Sequence, residues 1–158
     1  MTDRPSSVQR VPDDVWTTVV SNVPIPSVDL IVRIDDGIVL ARRQNEPAKG
    51  EWFVPGGRIQ KGETLTEAVQ RVAHTELGVN VEIEQELGAY DHLYAESDVS
   101  SSGGKHYVAH GYVVSPESEV FELDAQHDQA RVFTEDDLPE LHKYVKNYIG
   151  DVSFIDSL

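Results

Sequence analysis

The sequence predicts an α+β fold, a mixed β-sheet sandwiched between helices in an α/β/α arrangement. Two observations carry this expectation. Strand-like segments lie on both sides of a stretch whose apolar residues, Leu65, Ala68, Val69, Val72, Ala73 and Leu77, keep helical spacing. The 158 residues suffice for one core, and neither a repeat nor a long linker divides them, so a single domain over 1–158 is expected.

Taken in order, Pro12-Asp13-Asp14 opens a short helix through residue 20, with proline early and acids in the first turn. Pro24 and Pro26 end it. Residues 28–34 and 38–43 read as a hairpin around Asp35-Asp36-Gly37, a strong turn sequence. Trp52-Phe53-Val54 is a short strand entering Pro55-Gly56-Gly57. The helix over 64–77 has Thr64 as a candidate cap, Glu67 three residues on, and Gly78 as its stop. Residues 79–90 and 106–114 are strand-like, separated by a Ser/Gly loop over 97–104. Residues 131–133 form a last strand. A helix starts at 134–138, and a final one is expected over 140–149.

Net charge is −15, from 28 acidic and 13 basic residues. Such a surface repels nucleic acid and anionic membrane, so neither is expected as a partner. A small anionic substrate fits if basic residues concentrate locally and a divalent cation screens it. Acidity with only five lysines points to adaptation to a high-salt interior; an ordinary acidic protein is the alternative. There is no cysteine, so disulfides and thiolate metal sites are out. No apolar run reaches bilayer length and the N-terminus lacks a signal pattern, which makes a cytoplasmic location the expectation.

The segment with chemical content is Gly56-Gly57-Arg58-Ile59-Gln60-Lys61-Gly62-Glu63, then Arg71 and Glu76-Leu77-Gly78-Val79. It resembles the Nudix box, G-x5-E-x7-R-E-U-x-E-E-x-G-U with U apolar. Gly57, Glu63, Arg71, Ala73, Glu76, Gly78 and Val79 match over residues 57–79, while Val72 and Thr75 replace two of the glutamates. The resemblance implies the Nudix α/β/α fold. Glu63 and Arg71 read as a structural ion pair fixing loop to helix, and Val72 as packing. Glu76 alone would be a surface charge, but with the Gly-Gly loop and Arg71 in register it reads as a metal ligand. Mg²⁺ takes oxygen ligands, and one surviving glutamate implies one ion per site, with Mn²⁺ able to substitute.

Around the box, Val28-Asp29-Leu30, Leu40-Ala41-Arg42-Arg43, the run 44–61, His106-Tyr107-Val108 and Gln126-His127-Asp128 resemble the GDP-mannose mannosyl hydrolases of the Nudix family. The resemblance covers residues 12–140, including the lost box glutamates. It implies that Gly56 (by its carbonyl), Glu76 and Gln126 hold Mg²⁺, and that His127 is the general base. Arg43 and Arg58 would neutralise the departing GDP, with Asp29 and Tyr107 in the pocket and His92 near the sugar. From residues alone, His127 would be a loop histidine bonded to Asp124 or Asp128; its Gln-His-Asp setting turns the reading to catalysis. His74, His110 and His142 read as structural, and His92 and His106 stay open.

Three functions therefore stand side by side. The first is hydrolysis of a GDP-sugar, GDP-mannose or GDP-glucose, at the anomeric carbon. The second is pyrophosphatase action on a nucleoside diphosphate derivative such as ADP-ribose. The third is a non-catalytic nucleotide-sugar binder. A small-molecule nucleotide sugar is the expected partner, and a homodimer is allowed. Segment 139–158 carries no assigned role.

Overall fold

The computed structural model describes residue 4 and residues 10–44, 47–99, 102–118 and 130–151. Within these, three helices and seven strands build a mixed sheet flanked on both faces. Helix α1 is Asp13–Asn22, followed by β1 (Ile25–Ile34), β2 (Gly37–Arg42), β3 (Trp52–Phe53) and β4 (Gly56–Arg58). Helix α2 (Leu65–Leu77) precedes β5 (Val81–Tyr94), β6 (Lys105–Pro116), β7 (Ala130–Thr134), a 3-10 turn at Glu135–Asp137, and α3 (Lys143–Asp151). The strand order is β3-β2-β1-β6-β5, with β4 added to β1 and β7 to β2. The β1–β6 pair is parallel and the others are antiparallel. No helix among the described residues is long and apolar enough to cross a membrane.

Strand β1 is central, and its period-2 alternation feeds two cores. Val28, Leu30 and Val32 pack with Ala68, Val69, Val72, Ala73 and Leu77 of α2. Ile31 packs on the other face with Val113, Phe133 and Tyr144, Val145, Tyr148 and Ile149 of α3. Helix α2 begins with a complete capping box: Thr64 Oγ1 accepts from the Glu67 N–H, and Glu67 accepts from the Thr64 N–H. It ends at Gly78 in the left-handed region, φ 72°.

Several boundaries differ from expectation for physical reasons. The hairpin loop is Asp35-Asp36, with Asp35 at φ 53°, and Gly37 lies inside β2. A Cβ there would meet the Phe133 carbonyl of β7, so Gly37 serves strand approach. Strand β1 starts at Ile25 and contains Pro26, whose carbonyl accepts from the Ile59 N–H at 3.0 Å. The Gly56-Gly57 pair, expected as loop, is the short strand β4, held by pairing with β1. The helix expected at 134–138 is a single 3-10 turn. The final helix starts at Lys143 rather than 140, because Leu141 bridges to Trp52 as extended chain.

Candidate active site

The box closes on itself as an ion pair. Arg71 donates from Nε to Glu63 Oε2 at 2.7 Å and from Nη2 to Oε1 at 3.0 Å, and Nη2 also reaches the Arg58 carbonyl at 2.8 Å. Glu63 Oε1 further accepts from the Gln60 N–H. Burial opposes ionisation of Glu63, but the Arg71 and Gln60 donors win and hold its carboxyl below the ordinary range. The pair thus ties α2 to the carbonyl of the residue that ends β4. Gly57 lies directly over the helix, since a Cβ there would stand 3.2 Å from Val72 Cγ2. Val72 is 3% exposed, so the box position it occupies is filled with hydrocarbon. Glu76 lies one turn further along α2 and is half-buried.

Beside the box a cleft of about 220 Å³ opens over β1. It is lined by Asp29, Arg43, Gly56, Arg58, His92 and Tyr107, together with Ser27, Pro47, Phe53, Val54, Gly57 and Tyr94. Six residues singled out in the sequence, from five different segments, therefore meet in one place. Glu76 is not part of this lining, and Gln126 and His127 lie outside the described residues. A larger hollow of about 460 Å³ lies between the end of α1 and residues 102–106. Its lysine, Lys105, is committed to Asp98 at 2.7 Å. We take the smaller cleft as the site because two arginines and a buried acid converge there.

Each arginine is braced. Arg43 Nε donates to the Pro47 carbonyl at 2.6 Å, and its guanidinium stands 5.9 Å from the Phe53 ring centre. Arg58 donates to the Ile59 carbonyl at 3.3 Å and lies 5.6 Å from the Trp16 ring.

The cleft floor is unusual for a protein interior. Asp29 is 7% exposed, and burial raises its pKa to about 6 against the pull of Tyr148 and Arg43. Its Oδ2 accepts from the Tyr148 hydroxyl at 2.6 Å. His92 is 3% exposed and stacks on Tyr144, ring centres 4.1 Å apart. Burial first, and then His142, lower its pKa to about 4, so it is neutral near pH 7. Its Nε2 has no hydrogen-bond partner. His92 is thus a wall residue at the base of the cleft, enclosed by Phe53, Tyr94, Tyr144 and Tyr148.

Sequence reasoning missed Tyr148, Tyr144, Tyr94 and Phe53. The one available signal was the i, i+4 spacing of Tyr144 with Tyr148 and of Val145 with Ile149, which marks an amphipathic helix but not what it touches.

A box helix clamped by Glu63–Arg71 under a Gly-Gly strand, beside a cleft with two arginines, defines a phosphate-handling hydrolase site. The NUDIX domain family model matches residues 23–152, and the chain belongs to the Nudix family, as a Nudix hydrolase. It is 49% identical over 147 residues to the low-salt glycan biosynthesis protein Agl8 of Haloferax volcanii, covering 93% of this chain and 92% of that one. It is 29% identical over 130 residues to an ADP-ribose pyrophosphatase of Methanocaldococcus jannaschii, covering 80% and 73%. Among solved structures, a MutT Nudix hydrolase from Burkholderia pseudomallei superposes with TM-score 0.65 at 27% identity, covering 82% and 98%. The Nudix domain of Shewanella oneidensis NrtR, solved with ADP ribose, shares the fold with TM-score 0.59 at 18% identity, covering 89% and 96%.

Nudix hydrolases use a divalent metal ion. Here the missing side chain of Gly57 lets β4 lie against α2, which carries Glu76, and among the described residues no three His, Asp or Glu side chains cluster as a metal site.

Proposed function

We propose that this protein hydrolyses a GDP-sugar, GDP-mannose or GDP-glucose, at the anomeric C–O bond, releasing GDP and free sugar with inversion. The observation that carries the reading is the pairing of Arg43 and Arg58 in one cleft with a box whose Val72 position is packed hydrocarbon. In this reading the two guanidiniums take up the charge of the departing diphosphate, and a box with Val72 and Thr75 at two of its glutamate positions holds fewer metal ions. The Haloferax relative, named for glycan biosynthesis, supports a sugar-bearing substrate.

In this reading Gly56 (carbonyl), Glu76 and Gln126 would hold one Mg²⁺, which would supply positive charge against the diphosphate. His127 takes a proton from water as the water oxygen bonds to C1. The bond from C1 to the diphosphate oxygen breaks, and its electrons leave with GDP, which Arg43 and Arg58 stabilise. Tyr107 and Asp29 bind on the cleft floor, and neutral His92 faces the sugar side. The same reading takes residues 1–158 as one Nudix domain in a salt-rich cytoplasm, as monomer or homodimer.

The second reading, pyrophosphatase action on ADP-ribose or a similar compound, is favoured by the Methanocaldococcus relative. A screen of nucleotide sugars with Mg²⁺ in high salt separates the two. The proposal expects GDP plus free sugar; a nucleoside monophosphate plus sugar phosphate would establish the second reading.

A further inference from the structure

Gly56, Asp29 and Gly111 stand side by side on three adjacent strands: Asp29 is the register partner of Gly56 on β4 and of Gly111 on β6. Neither glycine is among the positive-φ residues, so backbone freedom does not explain them. Space does. A Cβ on Gly56 would collide with Asp29 Oδ1. A Cβ on Gly111 would stand 2.7 Å from Tyr148 Cε1 and 3.1 Å from Cδ1. One glycine clears room for the carboxyl and the other for the ring that reaches it.

Tyr148 is fully buried, and its hydroxyl donates to Asp29 Oδ2. His92 Nδ1 stands 3.8 Å from the same oxygen, too far for a hydrogen bond. Tyr148 therefore sets the carboxyl's rotation, and Oδ1 is the oxygen on the Gly56 side, at the cleft floor. Stability alone would not select this arrangement, because a buried carboxyl is costly and an apolar pair of equal volume packs as well.

We propose that Tyr148, on the C-terminal helix, is a positioning residue for the active site. Its hydroxyl fixes the Asp29 carboxyl so that Oδ1 meets Gly56 and presents an acceptor to a substrate hydroxyl. This rests on the reading of the cleft as the substrate site.

The test combines Tyr148→Phe, Gly111→Ala, Asp29→Ala and the double variant Tyr148→Phe/Asp29→Ala. Ile149→Val, buried on the same helix, controls for lost stability. Two readouts are used: GDP-mannose turnover, and hydrogen exchange of the Gly56 and Gly57 amides. Tyr148→Phe should lower kcat/KM by about ten- to a hundredfold, the scale of a hydrogen bond to a charged group. It should cause no further loss in the Asp29→Ala background. Gly111→Ala should act like Tyr148→Phe with the hydroxyl retained, and Ile149→Val should not. Exchange at residues 56 and 57 should quicken in Tyr148→Phe relative to the Ile31 and Val113 amides. Wild-type exchange in Tyr148→Phe, or turnover losses that multiply in the double variant, would overturn the proposal. If the wild-type protein leaves GDP-mannose intact, the substrate reading fails, while the exchange measurement still decides the role of Tyr148.

Discussion

The two faces of β1 are built on opposite principles. Toward α2, Val28, Leu30 and Val32 pack in a mainly aliphatic cluster with Ala68, Val69, Val72, Ala73 and Leu77, and Glu63 with Arg71 forms an ion pair beside it. Toward α3, the same strand presents Asp29 to a buried tyrosine beside a histidine with an unpaired nitrogen. The first face gains stability from burial; the second forgoes some of it to keep polar groups in place. The Glu63–Arg71 pair and the packed face of α2 thus act as a frame, and the cleft with its two arginines opens beside them.

Removing the proposed catalytic groups should cost rate. His127→Gln should lower turnover by about two to four orders of magnitude, the range of a lost general base, and flatten the pH–rate profile. Glu76→Gln should remove most Mg²⁺-dependent turnover without unfolding the protein; a near-normal rate would place the metal elsewhere.

Breaking the apolar side should cost stability instead. Leu77→Ala, at a position 1% exposed, should destabilise by about 2–5 kcal/mol in denaturant titration. The folded fraction should keep its kcat. A large fall in kcat at full folding would erase the distinction between the faces.

His92 offers a sharper probe, because its pKa falls from 6.5 to about 4 on folding. Between those values the unfolded chain binds the extra proton, so stability from neutral His92 is present above pH 6.5 and is lost as pH falls toward 4. Relative to His92→Phe, the wild-type protein should lose on the order of 3 kcal/mol across that window and level off below it. A constant difference between the two would show that His92 is not kept neutral by the fold.

The smallest effect belongs to the frame's ion pair. Arg71→Lys keeps the charge but loses the two-pronged contact and the reach to the Arg58 carbonyl, a cost of about 1 kcal/mol. The pair's stabilisation is present above the ordinary glutamate pKa of 4.5 and is lost as pH falls through the lower folded value. The variant should therefore narrow its stability gap to wild type in acid.

The contrast between the faces also explains what could be read from the residues. The box helix was legible because its signals are local: Thr64 with Glu67, the apolar period, Gly78, and Glu63 eight residues from Arg71. The cleft arginines, Asp29, Tyr107 and His92 came from a family resemblance, and they do meet in one cleft. Strand β4 was not foreseen, because a glycine pair has no strand preference and its pairing is imposed by β1. Tyr148 was illegible for a related reason. It bonds a residue 119 positions away, and a tyrosine on an amphipathic helix reads as packing. Gly111 likewise gives no clue that it makes room for a ring on another element.

The most direct measurement of the account is hydrolysis of α-linked GDP-mannose in ¹⁸O-labelled water, with both products analysed. In the proposed reading Arg43 and Arg58 neutralise the diphosphate and His127 activates water, so that water attacks carbon. The account predicts label in the released sugar, first appearing as the β anomer, and unlabelled GDP. Label in a phosphate, or GMP as the nucleotide product, would contradict it.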